Sequence, residues 1–295
     1  MAANTRDIRR RIKSVKNTSQ ITKAMQMVAA AKMRKAQNSA LAGRPYADLL
    51  RKVLASLAGK VEEQSHPMLR VREVKRELVI VISTDKGLCG ALNTNLFREV
   101  AKFDPARTDF VVVGRKALQF LTRSQRKLLA DFPLKENFHF LEAKQVSKFA
   151  LDKFDKGEVD KVSVVFTDFI NTLTQIPRSR TVLPITSYEV GDVLGSADEK
   201  VAPSLGAGDT TEYQFEPSAA AVLEGVLPHY AHFQIYQMVL DSRASEHSAR
   251  MVAMKNATDN AKQLIKDLTL EYNKIRQASI TTEILEISTA QSTLG

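Results

Sequence analysis

The sequence predicts an α/β protein, with a long antiparallel coiled coil of the N- and C-terminal helices plus a central Rossmann-like α/β domain. Neither Gly nor Pro, the two strongest helix breakers, occurs in residues 1–42 or 229–294. Strand and helix patterns alternate between these two stretches, as in a mostly parallel sheet covered by helices. We therefore assign an N-terminal coiled-coil helix to 1–60, a Rossmann-like domain to 75–190 and a C-terminal coiled-coil helix to 217–295.

The N-terminal helix carries most of the net charge of the chain. Residues 1–42 hold ten Lys or Arg and a single acid, Asp7, and so carry +9 of the total +10. Such asymmetry indicates an acidic partner, which could be nucleic acid, an anionic membrane or an acidic protein surface. An approximate 3-4 spacing, interrupted by Lys32, predicts a coiled-coil seam in which many side chains are small or polar. Its members are Val15, Thr18, Thr22, Met25, Ala29 and Ala36.

The C-terminal stretch is too long for a compact domain. If helical throughout, its 66 residues without Gly or Pro span roughly 100 Å. A 3-4 spacing over four heptads predicts a coiled-coil seam. Its members are Ala244, His247, Met251, Met254, Thr258, Ala261, Ile265, Leu268, Tyr272 and Ile275. An antiparallel pairing with the N-terminal helix is the simplest closure, because a whole domain separates the two segments.

The middle of the chain predicts a sheet with covering helices. We expect strands at 77–83, 109–113, 127–132 and 159–166, and an edge strand at 180–185 bounded by Pro177 and Pro184. Helices are expected at 92–103, 115–122 and 145–154. Residues 187–216 lack periodicity and predict a loop before a helix that starts at Pro217.

The turn after the first strand, Ser83 to Gly90, stands where an α/β domain would bind phosphate. Its two glycines, Gly87 and Gly90, fit neither the dinucleotide fingerprint nor the phosphate loop, and no hydroxyl follows Lys86 to hold magnesium. We expect instead a tight turn, or a surface contact loop, with backbone requirements at both glycines. No base accompanies the single cysteine, Cys89. The sequence therefore predicts no enzyme, no cofactor and no metal site.

No apolar run is long enough to span a membrane, since the most hydrophobic one, 78–82, has the length of a strand. Membrane association is expected only through partners. The N-terminus lacks the pattern of a secretory signal.

Three separated segments, in order, resemble the gamma subunit of F-type ATP synthases. They are Ile21–Ala30 with Lys32-Met33-Arg34; Ser83–Gly90; and the C-terminal runs Ser245-Glu246, Ala249–Lys255, Ala257–Asn260 and Tyr272–Thr281. The similarity runs over nearly the whole chain.

This resemblance implies a central-stalk subunit that couples rotation of the membrane c-ring to ATP synthesis or hydrolysis. The implied partners are the alpha and beta subunits, the epsilon subunit and the c-ring, at the cytoplasmic face of a bacterial membrane. It also implies contacts with the beta subunit: Met25 beside an acidic loop, Lys86 and Cys89 in a contact turn, and a catch at Arg276 and Gln277 followed by Thr281 and Glu283. The redox cysteine pair of chloroplast-type members is missing.

Two other classes stay open on the residues alone. A basic coiled-coil nucleic-acid-binding protein would account for the charge, although residues 1–45 contain no aromatic side chain for base stacking. An α/β nucleotide enzyme would bind ATP or NAD as an isolated chain. The affinity of a nucleic-acid-binding protein for DNA or RNA would fall steeply as the salt concentration rises.

Overall fold

The computed structural model describes residues 5–58, 66–136, 138–185 and 214–294. The chain forms two compact units: the terminal unit, Met1–Ala29 with Arg250–Gly295, and the sheet unit, Ala30–Ala249. The predicted loop at 187–216 lies outside the described residues except for its last three positions.

Both terminal helices are longer than their stretches without Gly or Pro. Helix α1 runs from Thr5 to Ala58 across Gly43 and Pro45, and helix α5 runs from Ala219 to Leu294 across Gly225 and Pro228. An internal proline costs a helix about 3 kcal/mol. Buried side chains near each proline offset this cost. They are Ala47, Leu50, Leu54 and Leu57, which follow Pro45 on α1, and Leu223, Leu227, Tyr230 and Ala231, which lie on both sides of Pro228 on α5.

In the terminal unit the predicted seam of α5 is confirmed. Its buried members are Met254, Thr258, Ala261 and Leu268, and its half-buried members are Met251, Ile265, Tyr272 and Ile275. On α1 the seam prediction was wrong by one residue at Thr18. That side chain is exposed and donates to the Ser14 carbonyl, and Ser19 is the half-buried residue. The hydroxyls of Thr22 and Thr258 lie 2.7 Å apart across the seam.

The sheet unit shows that the helices are antiparallel. A methyl group on Gly43 of α1 would lie 3.2 Å from Oε1 of Gln237 of α5. Three residues further along α1, the Tyr46 hydroxyl lies 2.5 Å from Nε2 of His229. As residue numbers increase along α1, the numbers of the contacting residues on α5 decrease. The two helices therefore run in opposite directions.

A five-stranded sheet has the order β3-β2-β1-β4-β5, with β5 antiparallel and the other strands parallel. The strands are β1 Glu77–Ile82, β2 Thr108–Val113, β3 Leu128–Phe132, β4 Lys161–Phe169 and β5 Gln175–Leu183. The intervening helices are α2 Leu92–Ala101, α3 Arg115–Arg123 and α4 Phe140–Asp155. The predicted Rossmann-like arrangement is confirmed.

Apolar side chains bury both faces of the sheet. Val79 and Val81 of β1 pack with Leu96 of α2 and Leu121 of α3. The alternate β1 side chains, Leu78 and Ile80, join a second core that includes Phe154 of α4 and Leu57 of α1. Successive side chains of a strand point to opposite faces of the sheet, and both faces of this sheet are covered. Every residue of β1 from Leu78 to Ile82 is therefore apolar.

Two elements differ from the prediction at their boundaries. Helix α4 begins at Phe140 rather than at residue 145, because the Glu142 carboxylate caps it by accepting the His139 N–H at 2.5 Å. Strand β5 begins at Gln175 and contains Pro177 instead of following it. An edge strand tolerates a proline because one side of its backbone pairs with no neighbour.

Candidate partner-contact surfaces

The turn after β1 closes over the first turn of helix α3. The Ala117 N–H donates to the Ser83 hydroxyl at 2.8 Å, and the Lys116 N–H donates to the Thr84 carbonyl at 3.0 Å. The Arg115 N–H donates to the Asp85 carboxylate at 2.9 Å. Three successive donors at the start of α3 are thus satisfied by oxygens of the chain itself.

Unsatisfied N–H groups in the first turn of a helix can bind an anion such as phosphate, and at α3 these three groups are already occupied. Gly114 permits the closure. Its φ is +102°, and a methyl group added there would stand 2.4 Å from the Ser83 carbonyl oxygen. Of the two glycines singled out in the sequence, Gly90 does adopt a positive φ of 60°, whereas Gly87 does not and has open space around it. The position of Gly114 between a strand and a helix was the available signal for its role.

The outer part of the same turn faces solvent. Lys86 is exposed, and Leu88 is 61% exposed with φ 63°, a conformation that a bulky residue rarely adopts. Cys89, by contrast, is 3% exposed, and its Sγ accepts a hydrogen bond from Asn93 Nδ2 at 3.4 Å. The side chain of Cys89 therefore shapes the turn, while Lys86 and Leu88 form its outer surface. Sequence reasoning missed Leu88.

Basic residues from three parts of the sheet unit act on Glu136. Lys32 of α1, the residue that interrupts the predicted seam, forms an ion pair with Glu136 at 2.5 Å. The hydrogen bond from Lys32 and its charge lower the pKa of Glu136, and the charges of Lys86 and Arg243 lower this pKa further. Burial lowers the pKa of Arg243 itself, opposed by the negative charge of Glu246 and of Glu136. No sequence pattern links Glu136 or Arg243 to this turn.

In the terminal unit the basic side chains of α1 point away from the seam. Met25, a member of the predicted α1 seam, is half-buried. The exposed basic residues are Arg6, Arg9, Arg10, Arg11, Lys13, Lys16 and Lys23. This helix therefore offers a positively charged outer face to an acidic surface.

The end of α5 extends past the described start of α1. Counting back from Thr22 to Thr5, and forward by the same number from Thr258, reaches Ile275. It is also the last half-buried residue among the α5 side chains that the structure describes, which end at residue 289. At about 1.5 Å per residue, the segment 276–294 is roughly 28 Å long. We call this segment the α5 tail.

Four of the predicted contact residues lie on the α5 tail, and all of them are exposed: Arg276, Gln277, Thr281 and Glu283. The Thr281 hydroxyl donates to the Gln277 carbonyl at 2.9 Å and so follows the helix backbone. Apolar side chains alternate with these polar ones, and Ile280, Ile284, Leu285 and Ile287 are 43%, 60%, 60% and 67% exposed. The tail thus presents apolar and charged groups together.

Within the described residues, no group of three or more His, Cys, Asp or Glu side chains is arranged to hold a metal ion. None of the described helices combines the length and the hydropathy that crossing a membrane requires.

A family model described as ATP synthase matches residues 4–294. The ATP synthase gamma chain of Opitutus terrae is 52% identical over 292 residues, which cover 98% of this chain and 98% of that protein. The gamma chain of Methylacidiphilum infernorum is 50% identical over 298 residues, covering 99% and 100%.

Solved structures agree in fold. A chain from the Euglena gracilis mitochondrial ATP synthase, in a structure of the OSCP, F1 and c-ring in rotational state 3, matches with TM-score 0.70 and 22% identity over 98% of this chain and 94% of that chain. A chain of the rotor from the same organism in rotational state 1 matches with TM-score 0.66, over 94% and 98%.

The fold and its exposed surfaces define a class of proteins that combine a coiled coil of the two terminal helices with a mostly parallel α/β domain. Within that class, the chain belongs to the ATP synthase gamma chain family. The comparisons give no support to the nucleic-acid-binding alternative.

Proposed function

We propose that the chain is the central-stalk rotor of a proton-translocating F-type ATP synthase. It couples rotation of a membrane c-ring to ATP synthesis or hydrolysis at a head of alpha and beta subunits, and thereby influences ATPase activity and proton flow. The observation that carries the proposal is the paired-helix coil with its exposed α5 tail and basic α1 face, in a chain 50% identical to a gamma chain over its full length. The division into 1–60, 75–190 and 217–295 is part of this proposal.

The role is non-catalytic. The turn after β1 has neither the dinucleotide fingerprint nor the phosphate loop, and it occupies the first-turn N–H groups of α3, which donate to Ser83, Thr84 and Asp85. Displacing these oxygens would cost three hydrogen bonds before any phosphate bound. Catalysis would then belong to the head, and this chain would supply force.

The contacts with beta subunits would use groups that can be exchanged. Arg276 and Glu283 of the α5 tail are solvated charges, and exposed ion pairs contribute only about 0–1 kcal/mol each. A rotor must grip and release each beta subunit in turn, so weak polar contacts suit it better than a large apolar interface. Gln277 and Thr281 would add to this catch, and the exposed isoleucines of the tail would centre it without directional bonds.

Two further contacts complete the proposed surface. Met25, half-buried on the basic α1 helix, would meet an acidic loop of the beta subunit. Lys86 would present its ammonium group from the turn after β1, while the buried Cys89 holds that turn in shape and adds contact through its backbone.

The rotor would lie at the cytoplasmic face of a bacterial membrane, attached as a peripheral subunit through the epsilon subunit and the c-ring. Similarity to relatives such as the Opitutus terrae gamma chain supports the bacterial part of this proposal.

The test is reconstitution. Purified alpha and beta subunits of the same organism are assembled with and without the chain, and rotation of a bead attached to the chain is recorded during ATP hydrolysis. We expect ATP-driven rotation in one direction, and no ATP hydrolysis by the isolated chain. Failure of the chain to join the head, or hydrolysis by the chain alone after stringent purification, would refute the proposal. A salt-dependent gel shift with DNA or RNA serves as the control for the alternative function.

A further inference from the structure

Helix α5 carries a buried polar stretch where it crosses the end of β4. Five residues there have at most 9% of their surface exposed: Ser242, Ser245, Glu246, His247 and Ser248. Ser245 and Ser248 are fully buried, three residues apart on one side of the helix. A helix that only needed to pack on a sheet would be expected to use apolar residues here.

Ser245 joins α5 to the end of β4 by a hydrogen bond. Its hydroxyl donates to the Thr167 carbonyl at 3.1 Å. The register of β4 with β1 ends at Val165, two residues before Thr167. The α5 hydroxyl thus bonds to a β4 carbonyl that lies beyond the paired part of the β1–β4 ladder.

Ser248 makes the second bond of this kind, to the turn that joins β4 and β5. Its hydroxyl donates to the Thr172 carbonyl at 2.7 Å, and Gln175 Nε2 donates to the same carbonyl at 2.9 Å. The turn is also closed from within, because Asn171 Oδ1 accepts the N–H groups of Leu173 and Thr174. Ser248 therefore bonds to a carbonyl whose position is already fixed.

We propose that Ser245 and Ser248 are positioning residues that lock α5 to the sheet, so that the helix and the α/β domain turn as one body. Apolar packing is non-directional and resists sliding or twisting weakly. Hydrogen bonds from two buried hydroxyls to two fixed carbonyls set both the rotation of the helix about its axis and its position along the sheet. This inference rests on the proposed rotor function, because only a rotor must carry torque through this junction.

The test measures torsional stiffness in the assembled head. A bead is attached through Lys102→Cys at the exposed end of α2, where the buried native Cys89 does not compete for the label. Angular fluctuations of the bead are recorded while the head waits for ATP. We expect Ser245→Ala with Ser248→Ala to raise the angular variance about twofold, because α5 loses its two hydroxyl hydrogen bonds to the carbonyls of Thr167 and Thr172.

Ser163→Ala is the matched control. Ser163 is a 1% exposed serine of β4 whose hydroxyl donates to Glu77 within the sheet and not to α5. It should lower the melting temperature of the isolated chain, as the double variant does, without widening the angular distribution. An unchanged variance in the double variant, or an equal increase in Ser163→Ala, would overturn the lock.

The same experiment separates this inference from the function on which it rests. If the unsubstituted chain assembles and rotates but the double variant is as stiff as wild type, the lock is wrong and the rotor stands. If the unsubstituted chain does not rotate, the rotor function is wrong, and the lock is wrong with it.

Discussion

The hydroxyl of Thr22 on α1 and the hydroxyl of Thr258 on α5 meet at 2.7 Å in the seam of the terminal unit. Each hydroxyl also lies within hydrogen-bond distance of a carbonyl of its own helix, that of Ser19 for Thr22 and that of Met254 for Thr258. One of the two hydroxyls can therefore donate across the seam while the other donates to its own helix. A polar pair in a seam of small and apolar residues fixes which positions face each other, because a shifted register would bury each hydroxyl against an apolar side chain.

A double-mutant cycle on this pair should reveal the coupling. We expect Thr22→Val and Thr258→Val in the full chain to show an interaction energy of about 0.5–1.5 kcal/mol in the free energy of unfolding, measured by urea denaturation. Thr269→Val, at an exposed threonine that bonds only to the Ile265 carbonyl, is the control. Strictly additive effects would mean that the two hydroxyls do not stabilise each other.

The two helix-interior glycines should respond in opposite ways to alanine. Gly225 has open space around it, so Gly225→Ala should stabilise the chain by about 0.5–1 kcal/mol through helix propensity. At Gly43 the added methyl group would approach Gln237 Oε1 to 3.2 Å and Phe233 to 3.4 Å, so this gain should be lost. Thermal unfolding of both variants checks the difference, and equal stabilisation by the two substitutions would contradict it.

Gly114→Ala should be among the most damaging single substitutions in the chain. The methyl group would stand 2.4 Å from a backbone oxygen of Ser83, at a φ of +102°. We expect a loss of about 2–4 kcal/mol in the free energy of unfolding and weaker attachment of the turn to α3. Gly87→Ala, in the turn after β1, has open space and should change stability by less than about 0.5 kcal/mol. Hydrogen exchange at the Ala117 N–H offers a local readout.

Stability should fall as the pH drops below about 6.5, because of a buried histidine. Burial lowers the pKa of His232 from 6.5 to about 4, and Lys144 and His229 add to this effect. The unfolded chain therefore binds a proton at a higher pH than the folded chain, and the stabilisation present above pH 6.5 is lost progressively toward pH 4. We expect a loss of about 1–2 kcal/mol, allowing for solvent screening.

The variant His232→Gln should flatten this dependence between pH 4.5 and 6.5. A smaller slope should persist, because burial also lowers the pKa of His66. Urea denaturation of both chains across this range is the measurement. An identical slope in the wild-type chain and in His232→Gln would rule out His232 as the cause.

Arg276→Ala should leave the coil intact and impair coupling. Arg276 is exposed on the α5 tail beyond the last half-buried seam residue, so circular dichroism and melting should not change. In the assembled enzyme, ATP synthesis should fall roughly threefold or more, because charge-assisted hydrogen bonds to carboxylates are the stronger class. Lys274→Ala, an exposed basic neighbour, is the control. If Arg276→Ala assembled, hydrolysed ATP and synthesised ATP as the wild-type chain does, the proposed contact with the beta subunit at Arg276 would be wrong.

Periodicity was sufficient to predict the seam of α5, from Met251 to Ile275, because apolar burial in a coil repeats with the helical turn. It was insufficient at Thr18 and Ser19, where small polar residues give the pattern little contrast. The strand prediction similarly identified β1, a continuous apolar run, but placed β5 too late because Pro177 reads as a boundary.

The contact surfaces were less predictable than the fold. Exposure of Arg276 follows from its place off the seam, whereas burial of Cys89 depends on a hydrogen bond from Asn93 and on the path of the turn. The ion pair of Lys32 with Glu136 joins residues far apart in the chain, so no local pattern records it. In the sequence, Lys32 stood out only because it interrupts the predicted α1 seam.

The occupied first turn of α3 has a consequence for how such a protein senses its surroundings. Because Ser83, Thr84 and Asp85 already accept those N–H groups, a change in cellular nucleotide concentration finds no vacant donor at this helix end. α/β folds of this kind bind metabolites in other proteins, but this helix end would not bind them. The chain would then respond to the energy supply of the cell through the mechanical load on it.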